Sequence, residues 1–159
     1  MFRIIFLIIL FLNISYDAWS TFGISTDNRA VDFGQMKLEE KKELAYLGGY
    51  HNEITCTSSN QNIWYLKVHL LKPLSSGANT IPLSCFKWQL FWTDGKGTIT
   101  NSYRFRDFSV SPELTYISGP GDSSGTAIHL RFKYYLKIPE AQAQGIYNTV
   151  IRFTLTEIL

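Results

Sequence analysis

The sequence predicts an all-β fold, a single antiparallel sandwich or barrel, on three observations. Aromatic residues make up 15% of the chain, and together with Thr and Ile they suit a pleated, half-buried surface. Several stretches alternate apolar and polar side chains with a period of two. Clusters of Gly, Ser, Asn, Asp and Pro lie between them, the punctuation of many short strands.

The chain opens Met1-Phe2-Arg3 and then runs almost unbroken apolar from Ile4 to Leu12. A polar turn (Asn13, Ser15, Asp17) and Ala18-Trp19-Ser20 follow. One positive charge, an apolar core and small residues either side of Trp19 match a cleavable signal peptide that ends at Ser20. A membrane anchor needs roughly 20 apolar residues, about twice what is present. No cysteine stands near the cut to take a lipid. Residues 1–20 are therefore expected to leave, and residues 21–159 to form one domain that is secreted, periplasmic or at the cell surface, with no later membrane span. The formal net charge is +2 and the basic residues do not cluster, so nothing points to nucleic acid.

After Ser20 the clearest strand runs from Ile128 to Ile138, with Ile128, Leu130, Phe132, Tyr134, Leu136 and Ile138 on one face. Trp64 to Leu70 alternates in the same way, as do Phe86 to Trp92 and Tyr147 to Leu155. Glu53 to Thr57 is a shorter case, and Phe105 to Val110 a weaker one. The Asp94-Gly95 pair suits a tight hairpin turn, because glycine reaches positive φ without steric cost. Gln35 to Leu47 departs from the pattern: its Glu, Lys and Leu content fits either a short amphipathic helix or a polar edge strand with a loop. In an exported chain the two cysteines, Cys56 and Cys85, make one disulfide a candidate. It would close a loop of about 30 residues and stabilise by about 3–4 kcal/mol; two buried thiols are the alternative.

Motifs of catalysis are present only as fragments. Gly121-Asp122-Ser123-Ser124-Gly125 fits G-x-S-x-G, but that elbow needs a helix after the serine, and here a long alternating strand follows. His129, on the outward face of that strand, has no evident carboxylate in sequence to orient it. Asp32-Phe33-Gly34 lacks every companion motif of a kinase. His51, His69 and His129 have no metal-ligand spacing, and two of them fall at outward strand positions. No catalytic residue, cofactor or metal site is expected. Trp64, Trp88 and Trp92 share the core-facing phase of their strands, whereas Tyr65, Phe91 and Tyr135 fall on opposite faces and form the candidate exposed binding strip.

Several pieces, in order, resemble exported bacterial modules of the spore coat protein U and WxL types. Val31-Asp32-Phe33-Gly34 is similar to an early L-D-F-G, Ile54-Thr55-Cys56 to a V-x-C strand, and Trp64-Tyr65-Leu66 is a literal W-x-L that runs on to Ile81-Pro82-Leu83. Ile138-Pro139 through Gly145-Ile146-Tyr147 resembles the segment that leads into the last strand of spore coat U-like pilins. Val150 to Thr156 resembles the closing WxL strand, with Phe153 in place of its tryptophan. The resemblance implies an immunoglobulin-like or pilin-like sandwich, not an enzyme, that serves as a structural or adhesive surface module of the fimbrial-subunit kind. Its partner would be protein, through self-assembly or another surface component. In the pilin case an N-terminal strand, here Thr21 to Ala30, would be donated to the next subunit. The alternative is a secreted domain that binds carbohydrate or cell-envelope polysaccharide on exposed aromatics.

Overall fold

A computed structural model describes residues 2–4, 21–28, 30–44, 51–100 and 104–158. Residues 5–20 of the expected leader lie outside this set, as do residues 45–47 of the helix-or-strand segment. The strands are β1 (Phe2–Ile4), β2 (Phe22–Thr26), β3 (Gly34–Met36), β4 (Lys41–Leu44), β5 (Asn52–Ser58) and β6 (Tyr65–Leu70). After the short pair β7 (Ser75–Ser76) and β8 (Asn79–Thr80) come β9 (Phe86–Thr93), β10 (Thr98–Ile99), β11 (Arg106–Asp107) and β12 (Glu113–Ile117). The chain ends in β13 (Ala127–Lys137), β14 (Ile146–Tyr147) and β15 (Ile151–Thr156). A 3-10 turn at Leu83–Cys85 is the one helical element among the described residues.

Two antiparallel sheets form the body, as the alternation predicts. The larger runs β11-β9-β13-β5-β2, with β4 beside the far end of β13. The smaller runs β10-β12-β6-β15. Each buries one face, and the two buried faces meet in one core. Leu130, Phe132, Tyr134 and Leu136 of β13 and Leu66, Val68 and Leu70 of β6 are essentially excluded from water. One ring pair joins the layers, Phe132 meeting Phe153 edge-on at 5.0 Å between centroids, and within the larger sheet Phe86 lies 4.4 Å from Phe108. Offset and edge-on pairs of this kind add to what simple burial contributes.

Four local expectations are settled by this architecture. The Gln35 to Leu47 segment is strand rather than helix in its described part: Lys41–Leu44 pairs with Tyr134–Lys137, and Glu39 makes the turn with φ 61°. Backbone pairing to a neighbouring strand here overrides helix propensity, which is a weak preference. The Asp94-Gly95 turn joins no hairpin, because β9 pairs with β13 and β11 while β10 pairs with β12 in the other sheet. Glycine is needed there for space: a Cβ on Gly95 would stand 2.1 Å from the Tyr116 hydroxyl.

The Cys56–Cys85 bridge does not form. Cys56 faces Ile128, whereas Phe86, next to Cys85, faces Leu136. Those positions lie about eight residues apart on β13, roughly 26 Å of extended chain, and a disulfide needs Cα atoms within about 7 Å. Both thiols are free, Cys56 buried in the core and Cys85 half-buried. Burial pushes the Cys56 thiol far above the ordinary thiol range. Finally, Trp64 and Trp88 are core residues as expected, but Trp92 is 37% exposed.

Candidate functional site

The reason Trp92 leaves the core is a bulge. Leu90 faces Phe132 while Trp92 faces Arg131, so Phe91 is an extra residue on β9 and the alternation slips by one. Phe91 and Trp92 therefore both reach the outer face of the larger sheet, beside the outward side chains of β13. The Arg131 guanidinium lies 4.1 Å from the Trp92 ring centroid, and the Lys133 ammonium 4.8 Å from that of Phe91. Arg131 Nε also donates to Glu53 Oε2 at 2.8 Å. Further along, the Tyr135 ring packs on Phe105 at 5.8 Å between centroids. The face is thus an interleaved band of rings and cations rather than a bare aromatic platform. The candidate strip is divided: Phe91 and Tyr135 share this face, but Tyr65 lies on β6 in the other sheet, opposite Ile117 and Thr156.

His129 does have an orienting carboxylate. Asp94 Oδ1 accepts its backbone N–H at 2.8 Å, and Asp94 Oδ2 lies 2.7 Å from its Nδ1. Burial alone would raise the Asp94 carboxyl, but these contacts and the ring's charge hold it below the usual carboxylate range. Ser123 is not presented as a nucleophile: it is buried, its hydroxyl donates to the Asn62 carbonyl, and a turn and then β13 follow it. Asp32-Phe33-Gly34 is a structural hook. Phe33 is wholly buried, Gly34 sits at φ 66°, and its N–H donates to Asp32 Oδ1 at 2.7 Å.

The other histidines are interior. His69, expected on an outward face, is 8% exposed beside Arg152, and both burial and that cation lower its pKa. His51 is 2% exposed and donates from Nε2 to the Ala30 carbonyl at 3.0 Å; desolvation lowers its pKa, with Ala30 and Asp27 acting against it. Among the described residues no three acidic, histidine or cysteine side chains converge on a metal-sized site, and no helix is long and apolar enough to cross a membrane.

A third place concerns edges. β1 lies between β3, to which it runs antiparallel, and β14, to which it runs parallel, so that position 3 faces both Gln35 and Ile146. Among the described residues β3 and β14 pair with no other strand. Phe33 and Met36, at one side, and Tyr147, at the other, are buried core residues. The segment expected as a donor, Thr21 to Ala30, is engaged within its own chain: Phe22–Thr26 pairs antiparallel with Ile54–Ser58.

Compared with models of protein families, with curated proteins and with solved structures, the chain matches none.

Proposed function

We propose that the chain is an exported structural or adhesive module of the cell surface, joined to its neighbours by strand addition in the manner of a fimbrial subunit. The observation that supports this reading is the β3–β14 slot. Each of its walls has β1 as its strand partner, and β1 belongs to the residues that a signal peptidase is expected to remove. Export then leaves two unpaired edges above a buried core, a template for an incoming strand. An extended segment of another subunit restores the lost main-chain hydrogen bonds by β-augmentation. If the donor is Thr21–Ala30 of a second copy, its β2 strand first leaves β5, so exchange between copies is slow and needs conditions that fray that edge.

Sedimentation of residues 21–159 tests the reading. Concentration-dependent oligomers are expected, lost on deletion of residues 21–30 and on one of Gln35→Pro and Met36→Pro, whose N–H groups point to opposite sides of β3, so that one of the two is lost from the slot. A stable monomer over the whole concentration range, or oligomers indifferent to all three changes, contradicts it.

A further inference from the structure

The loop end of the sandwich holds an open cleft of about 510 Å³ between the β5–β6 loop and the β12–β13 loop, within the range of small-ligand sites. We propose that this cleft binds an uncharged, hydroxyl-rich ligand, a neutral oligosaccharide. The assignment is independent of strand addition, since the cleft and the β3–β14 slot are built from different segments of the chain.

The lining decides the ligand class. It contains no Asp, Glu, Lys, Arg or His, so it offers nothing to neutralise a phosphate, a carboxylate or an ammonium group. What it offers is hydroxyl and amide groups, exposed glycine backbone, and two apolar side chains, Ile63 and Pro120. Ile63 is 57% exposed on one wall, suited to the C–H face of a sugar ring. Gln61, beside it, is exposed, and its side-chain amide has no hydrogen-bond partner among the described residues. Gln61 is held at φ 59°, a conformation that disfavours any residue with a Cβ and that clusters at ligand sites. On the opposite wall Gly121 sits at φ 91°, with no atom within 4 Å of where its Cβ would stand. A ligand can therefore approach that backbone directly.

The walls are also fixed before any ligand arrives. The Ser123 hydroxyl donates to the Asn62 carbonyl across the cleft, and the Gly125 N–H donates to the Ser58 carbonyl at 2.8 Å. Beneath them the Asp122 carboxylate, turned away from the cleft, accepts the Gly119 N–H at 2.7 Å and the Lys96 N–H at 2.9 Å. A preorganised site loses less conformational freedom on binding.

The test is titration of the full chain with maltohexaose, cellohexaose and chitohexaose, followed by amide NMR shifts, with hexagalacturonate as the charged control. At least one neutral sugar should move the amides of residues 61–63 and 119–124 with a Kd of about 1 mM or tighter, unaffected by salt. Ser124→Phe, which fills the cleft from an exposed position, should weaken binding at least about tenfold. Gln61→Gly should weaken binding by a similar factor while its melting temperature is retained or raised, a split that a merely structural role does not produce. The proposal is overturned if none of the three sugars shifts these amides at about 10 mM. It is equally overturned if hexagalacturonate binds as well, if the shifts fall on the β9–β13 face, or if both variants bind like the parent chain.

Discussion

The Tyr116 hydroxyl donates to Asp122 Oδ2 at 2.7 Å, beneath the loops at one end of the sandwich, where both residues are almost wholly buried. The same carboxylate takes the N–H groups of Gly119 and Lys96, so one side chain ties the β9–β10 and β12–β13 loops together. Burial and the neighbouring carboxylate both hold the Tyr116 hydroxyl in its neutral, donating form. Removing the acceptor strands the buried Tyr116 hydroxyl and two part-buried N–H donors. Asp122→Ala should cost about 3 kcal/mol and Tyr116→Phe about 1–2 kcal/mol in urea unfolding. The double variant should cost less than their sum, because the two share a bond. Strict additivity would show that the pair is not coupled.

Space around that hub is filled. A Cβ on Gly97 would stand 2.0 Å from the Ile117 carbonyl and 2.6 Å from the Tyr116 hydroxyl, so Gly97→Ala should destabilise by about 2–3 kcal/mol. Gly23, in β2, has no atom within 4 Å of the same point. Gly23→Ala is expected to be neutral or to stabilise by about 0.5 kcal/mol, measured by the same unfolding curves. Equal effects at the two sites would contradict the packing described.

Acid should loosen the fold in two stages. His51 and His69 have pKa values lowered in the folded chain, chiefly by burial. The unfolded chain therefore binds protons first, and stability present above about pH 6.5 is lost as pH falls below it. Asp94, held below the usual carboxylate range by His129, adds a second loss below about pH 4, again because the unfolded state takes up the proton more readily. His69→Gln should flatten the first stage and leave the second. A melting temperature constant from pH 7 to pH 5 would refute the buried-histidine account.

Reduction should change nothing in the fold itself. With Cys56 and Cys85 at opposite ends of β13, dithiothreitol leaves the melting temperature unaltered. A thiol reagent labels Cys85 faster than Cys56 in the native chain, because only Cys56 lies wholly inside. Both react alike after denaturation. A fall in melting temperature on reduction would point to a bridge.

Much of the fold was legible because alternation and burial coincide: in β13 the apolar set from Ile128 to Leu136 is the buried set, residue for residue. Where a bulge shifts the phase, local alternation and burial part. Trp88, Leu90 and Trp92 keep a period of two in sequence, which puts Trp92 inside, and only the pairing with β13 exposes the extra residue at Phe91. β12 carries no clean alternation for the same reason, because a register shift leaves Thr115 and Tyr116 buried side by side. Contacts between distant positions were beyond reach of local pattern. Asp94 and His129 are 35 residues apart, and the Gln61 N–H reaches the Ser123 carbonyl only once the β5–β6 and β12–β13 loops come together. Phe91 and Tyr135 lie on an outer face, but nothing local reveals that Lys133 covers Phe91 or that Phe105 lies against Tyr135.

Amide hydrogen exchange at the β3–β14 slot is the most direct test of the assembly account. In monomeric residues 21–159 one amide of each adjacent pair, Gln35 or Met36 on β3 and Ile146 or Tyr147 on β14, points at β1; these should exchange at nearly unprotected rates, while those of β13 stay protected. They should become protected when the chain is concentrated into oligomers and in the full-length chain that keeps residues 1–20. Full protection of these amides in the dilute monomer would mean that the slot is never open, and would contradict strand addition at this place.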